Sequence, residues 1–240
     1  MQILGHRGAS ALAPENTLEA FELAWREGAD GVELDAMACS TGEVVVCHDE
    51  ELTRLAGVAR EVRRSSWQWL RTLDVGSRLG FAPARIPLLE EVLEALPDHL
   101  MVNVELKCER VDDGGLCESA VRLVQRMGQT DRVRFSSFYP PNLVRVAELA
   151  PDMERALLLD PDRAFLLQDA VFAPLFAKGA IHPFRDQVTA ARMRAWRRRG
   201  LQVRVWTVND VAQAARLRAL GVSAILTDDP GRLRRELGQR

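Results

Sequence analysis

The sequence predicts an α/β fold built as a (β/α)8 barrel, and three observations carry that expectation. Short apolar runs alternate with longer amphipathic segments through the 240 residues, a rhythm that builds a mainly parallel sheet. Eight such units in a chain of this length match the count and size of the TIM barrel. Polar residues suited to acid/base chemistry also sit on or just after the apolar runs, where strand ends open into a crevice. The whole chain, 1–240, is therefore read as one barrel domain, with a small inserted subdomain at 49–86 after the strand that bears the second histidine.

Strands are expected at 2–6, 31–36, 43–47, 100–107, 132–136, 154–159, 179–182, 202–206 and 223–226. Helices are expected at 17–28, 88–96, 115–128, 140–149, 162–176, 188–199, 210–220 and 230–237. The first strand ends in Gly5-His6-Arg7-Gly8. The first helix has the best-marked start, with Asn16 as N-cap and Glu19 three residues on in a capping-box pattern, followed by an apolar face of Leu18, Phe21, Ala24 and Trp25. The strand at 31–36 places Glu33 and Asp35 on one face and Val32 and Leu34 on the other. The strand at 43–47 runs through Val44-Val45-Val46-Cys47 into His48-Asp49. Beyond it the rhythm breaks: 49–86 carries Arg60, Arg63, Arg64, Trp67, Trp69 and several glycines. The strand at 100–107 repeats the alternation, with Asn103, Glu105 and Lys107 opposite Val102, Val104 and Leu106.

Composition narrows the function classes. A net charge of −2 with 47% hydrophobic and 28% charged residues describes a globular chain with no bulk attraction to nucleic acid or an anionic membrane. No basic leader precedes an apolar stretch, and no run of 18 apolar residues occurs, so a cytoplasmic protein without a stable membrane anchor is expected. Cys39, Cys47, Cys108 and Cys117 lack zinc-site or redox-motif spacing and read as reduced, mostly buried residues. All but two of the 32 basic residues are arginine, so Lys107 in a polar stripe hints at chemistry that needs a compact charge.

Two carboxylates two residues apart on one strand face repel unless a cation or proton lies between them. A hard divalent metal, Mg²⁺ or Ca²⁺, solves this, and Glu105 would complete a triad with Glu33 and Asp35; a plain Glu105–Lys107 ion pair is the competing reading. The chain has four histidines. His6 and His48 follow strand ends; His99 lies in a loop expected to face solvent; His182-Pro183 ends another strand. Trp206 shares a strand face with Arg204 and reads as core packing or a pocket wall.

Taken in order, His6-Arg7-Gly8, Pro14-Glu15-Asn16-Thr17, Gly28-Ala29-Asp30-Gly31-Val32-Glu33-Leu34-Asp35, Val44-Val45-Val46-Cys47-His48-Asp49, Val104-Glu105-Leu106-Lys107 and Val205-Trp206-Thr207-Val208-Asn209 resemble the glycerophosphodiester phosphodiesterase family from residue 3 to about 230. The resemblance implies hydrolysis of small-molecule glycerophosphodiesters to glycerol 3-phosphate and an alcohol. It also implies one divalent metal ion (Mg²⁺ or Ca²⁺, with Mn²⁺ as an option) on Glu33, Asp35 and Glu105, and His6 and His48 as the acid/base pair. Arg7, Lys107 and Trp206 would meet substrate, while Asn16 and His182 stand as substrate contacts or structural residues. The family's Thr-Lys-Asp-Gly is here Cys39-Ser40-Thr41-Gly42, which bears on a turn rather than on the metal ligands. Two other readings are a related barrel phospholipase, sphingomyelinase D-like or phosphoinositide-specific, with Trp67, Trp69 and the basic residues of the insertion at a membrane, and a phosphate-binding barrel without catalysis.

Overall fold

The computed structural model describes residues 1–162 and 173–238. Strands run in chain order as β1 (Gln2–His6), β2 (Gly31–Ala38), β3 (Val44–Val46), β4 (Met101–Leu106), β5 (Val133–Ser137), β6 (Arg155–Leu159), β7 (Gly179–Pro183), β8 (Gln202–Val205) and β9 (Ala224–Thr227). Eight of them pair in parallel, and β1 closes the ring by pairing with both β2 and β9. The strand expected at 43–47 is not part of the ring. As β3 it folds back antiparallel on β2, because the four residues Cys39–Gly42 make a tight turn with Gly42 at φ +94°, far too short for a parallel crossover.

Between the strands lie α1 (Leu18–Arg26), α2 (Thr53–Ala56), α3 (Trp67–Leu70), α4 (Leu89–Ala95), α5 (Leu116–Arg126), α6 (Pro140–Leu149), α7 (Ala173–Phe176), α8 (Ala190–Arg198), α9 (Val211–Leu220) and α10 (Pro230–Glu236). The helix expected at 162–176 falls mostly outside the described residues. The N-cap of α1 is Thr17, whose hydroxyl accepts from the Ala20 amide, rather than Asn16. Asn16 sits one residue too early with φ +57°, and its amide is spent on Asp35. Trp25 also departs from the expected helix face and is 39% exposed.

Alternation sorts the strand residues between two environments. Val32, Leu34, Val102, Val104 and Phe135 pack outward against the helices on one side of the barrel, and Ile3, Leu157, Ile181, Val203 and Ile225 do so on the other. Each such buried side chain is worth about 1.5–3 kcal/mol, so the outer shell supplies the stability that a polar interior consumes. Inside, Leu4, Ala224 and Leu226 form a small plug with Met101 and Trp206. Below the plug, Glu154 accepts from both Arg134 and Arg204, which sets one carboxylate between two guanidinium groups in the lower interior.

The 49–86 segment has its own apolar cluster, with Leu52, Leu55, Val62 and Leu70 against Val45, Cys47, Met37 and Cys39 of the β2–β3 hairpin. Arg60 lies over the Trp69 ring and Arg71 over Trp67, so the two tryptophans are half-buried under arginines. No helix among the described residues is long and apolar enough to cross a membrane. All four cysteines are free, three of them buried.

Candidate active site

Parallel register carries the polar stripes to one place. Glu33 lies beside Asn103, and Asp35 beside Glu105, across the β2–β4 pair, while His6 lies beside Glu33 across β1–β2. Ligand oxygens of Glu33, Asp35 and Glu105 all fall within 4.8 Å of one another, and all three residues are buried. Lys107 Nζ stands 3.4 Å from Glu105 and 3.5 Å from Asp35. The ion pair and the carboxylate triad expected as alternatives are both present, because one lysine serves two of the three acids.

The electrostatics ask for a cation. Burial and the Asp35 charge push the Glu33 carboxyl up to about 8, and burial raises Glu105 as well. Burial would raise Asp35 too, but Lys107, Arg7, His48 and the Asn16 hydrogen bond hold it well below the ordinary carboxylate range. One lysine and one arginine therefore leave the cluster short of positive charge. A hard divalent ion fits an all-oxygen set of this kind.

The two histidines flank the same cavity of about 130 Å³, lined also by Arg7, Asn103, Lys107, Phe138, Leu158, Trp206 and Leu226. Each has its own carboxylate. His6 Nδ1 donates to Asp228 at 2.7 Å, and His48 Nδ1 donates to Asp49 at 2.7 Å. Since a carboxylate only accepts, each pair fixes a proton on Nδ1 and leaves Nε2 as the nitrogen able to give or take a second one. Burial lowers the His6 pKa, yet the Asp228 hydrogen bond and the Glu33 charge outweigh it and raise the net value. For His48 burial dominates, with Lys107 and Arg7 adding to it, and the value falls. Two imidazoles pushed in opposite directions are what a division into acid and base requires.

Arg7 and Asn16 are the only non-glycine residues with positive φ among those described, both at +57°. The turn at Arg7 brings its amide to Glu33 Oε2 at 3.1 Å, while its guanidinium reaches Glu15 at 2.9 Å and Asp35 at 3.2 Å. Gly8, at φ +84°, follows in the same turn, and a Cβ there would lie 2.5 Å from the Ala20 backbone. Asn16 clamps Asp35 from behind: Nδ2 donates to Oδ2 at 2.8 Å and Oδ1 accepts from the Asp35 amide at 3.1 Å. Both strained residues thus hold a carboxylate of the cluster.

Trp206 lines the cavity and packs edge-on against Phe138 at 5.4 Å and Phe184 at 5.2 Å. His182 does not line it. Its ring is wholly buried and its pKa is driven well below the ordinary value by burial; only its carbonyl connects to the site, accepting from Trp206 Nε1 at 2.8 Å. His99 is exposed in its loop.

Four residues escaped sequence reasoning. Asp228, braced by Asn209 at 2.6 Å and Ser10 at 3.1 Å, meets His6 from 222 positions away. Asp49 lies beside His48 in the sequence, and that adjacency was a usable signal. Glu15 and Arg54 form a rim around Arg7 and His48 with no periodicity to announce it.

The sequence profile of the glycerophosphoryl diester phosphodiesterase family matches residues 6–232. A glycerophosphodiester phosphodiesterase of Caldanaerobacter subterraneus subsp. tengcongensis is 32% identical over 231 residues, covering 95% of this chain and 94% of that protein. One from Bacillus altitudinis is 33% identical over 237 residues, covering 96% of each. Among solved structures, an Oleispira antarctica phosphodiesterase in complex with the product sn-glycerol-3-phosphate superposes with a TM-score of 0.89 at 26% identity, covering 100% of this chain and 97% of that one. A glycerophosphodiester phosphodiesterase from Agrobacterium tumefaciens gives 0.80 at 29% identity, covering 96% and 97%. With the profile spanning nearly the whole barrel and relatives matched end to end at about a third identity, the chain belongs to the glycerophosphoryl diester phosphodiesterase family and is a phosphodiesterase.

Proposed function

We propose that this phosphodiesterase hydrolyses glycerophosphodiesters to glycerol 3-phosphate and an alcohol, with a divalent cation and with His6 and His48 as general acid and base. The observation that carries this reading is the convergence of three buried carboxylates into a cavity flanked by two histidines, each oriented by its own aspartate. The sn-glycerol-3-phosphate held by the Oleispira antarctica neighbour supports the same product here. Glu33, Asp35 and Glu105 would hold one ion, Mg²⁺, Ca²⁺ or Mn²⁺. When bound, such an ion supplies Lewis-acid charge at the phosphoryl oxygens.

The chain's own groups account for the rest. Arg7 and Lys107 add positive charge beside the non-bridging oxygens. One histidine takes the proton of the attacking hydroxyl as the new P–O bond forms. The other gives its proton to the leaving alkoxide as the old P–O bond breaks, so one water is consumed overall. Trp206, Phe138 and Leu158 offer an apolar wall against which carbon atoms of the substrate can rest. Free, mostly buried cysteines support a reducing compartment such as the cytoplasm. Purified protein incubated with glycerophosphocholine, glycerophosphoethanolamine and glycerophosphoglycerol should release glycerol 3-phosphate, lose that activity on chelation and regain it with one of the three ions. Full activity after exhaustive chelation would rule out the metal-dependent reading.

A further inference from the structure

We propose that Arg54, contributed by the 49–86 segment, is a positioning residue that holds His48 and Arg7 in place at the same time; the inference rests on the phosphodiesterase reading above. One edge of its guanidinium meets Asp49, with Nε at 2.6 Å and Nη2 at 3.1 Å. The other edge meets Glu15, with Nη1 at 2.9 Å and Nη2 at 2.7 Å. Behind each carboxylate stands a group that faces the cavity. Asp49 Oδ1 accepts from His48 Nδ1 at 2.7 Å, and Glu15 Oε1 accepts from Arg7 Nη1 at 2.9 Å. The result is an unbroken chain from His48 through Asp49, Arg54 and Glu15 to Arg7.

Arg54 does not itself line the cavity, so its influence passes through these partners. At 44% exposure a single ion pair would count for little. What matters is shape: a planar fork presents two edges, each matched to one carboxylate, and a lysine ammonium cannot span both. The reach is also fixed, because Leu52 and Leu55 on either side of Arg54 are buried against Val45 and Cys47 of the hairpin that ends at His48. Remove the guanidinium, and Asp49 is free to turn to solvent, which releases the Nδ1 proton and the ring orientation of His48. Glu15 is then left to Arg7 alone and draws its guanidinium away from phosphate.

The test compares Arg54→Lys, Arg54→Ala and Asp49→Ala with the wild type on glycerophosphocholine at saturating divalent cation, with thermal melting recorded for each. Both Arg54 variants should lose about 10- to 100-fold in kcat, the usual size of a lost orienting partner, while remaining folded at the assay temperature. Millimolar guanidinium ion should restore part of the kcat of Arg54→Ala, and methylammonium should not. Arg54→Ala combined with Asp49→Ala should cost no more than the worse single change, since both cut one chain. A wild-type kcat in Arg54→Lys, additive losses in the double variant, or a loss accounted for by the unfolded fraction would overturn the inference alone. A wild type inactive on every glycerophosphodiester would instead overturn the reading on which it rests.

Discussion

Replacing Glu33 by Gln should make the metal-free protein more stable while removing its activity. Burial and the neighbouring Asp35 charge push the Glu33 carboxyl from 4.5 up to about 8. An acid whose pKa is raised on folding contributes stability that is fully present below its unfolded value and is lost as pH rises towards its folded value. At pH 7 the folded chain keeps Glu33 protonated two and a half units above the ordinary midpoint. At about 1.4 kcal/mol per unit, that costs about 3 kcal/mol. Gln keeps the shape and the hydrogen bond that the Arg7 amide makes to this side chain, yet has nothing to ionise. In chelator at pH 7, Glu33→Gln should therefore melt about 6–12 °C above wild type, at the 2–4 °C per kcal/mol expected for a chain of roughly this size. The gap should close as pH falls to about 4.5, and saturating divalent cation should reverse the order by stabilising only the wild type. Urea or thermal unfolding in chelator across pH 4.5–8 is the assay. A variant no more stable than wild type at pH 7, or a gap that widens towards acid, would refute the view that uncompensated negative charge is what prepares this site for a cation.

His6→Ala and His48→Ala should each lower kcat by about 10²- to 10⁴-fold with modest change in KM. A nitrophenyl leaving group should rescue only one of them, the variant that lacks the general acid; equal rescue of both would end the acid/base assignment. Asp228→Asn should cost about 10- to 100-fold in kcat because the amide no longer fixes the Nδ1 proton of His6; steady-state kinetics with unchanged activity would show that His6 needs no orienting partner. Asn16→Ala should destabilise by about 2–4 kcal/mol in urea, from two lost hydrogen bonds to buried Asp35 and an alanine forced to positive φ. Asn16→Gly should recover the backbone share of that loss, and equal stability of the two variants would remove the strain from the account.

What the sequence determined by itself is whatever follows from periodicity. Two-residue alternation put Glu33 and Asp35 on the face opposite Val32 and Leu34, and repeated it at Glu105 and Lys107. Since a parallel barrel has only an inside and an outside, those faces could only be the polar interior and the helix-covered shell. Periodicity has no say over partners far apart in the chain. Whether Asn16 capped a helix or held Asp35 depended on a backbone turn one residue wide, and Thr17 was equally able to cap. Whether 43–47 entered the ring depended on a five-residue connection rather than on the strand's own valines. Only ring closure, which pairs β1 with β9, carried Asp228 to His6. Only the docking of the 49–86 segment on the β2–β3 hairpin carried Arg54 to Glu15 and Asp49. Strand faces are local and free of alternatives once the strand forms. Contacts across the barrel mouth are fixed by register and closure, which the chain decides only when the whole sheet assembles.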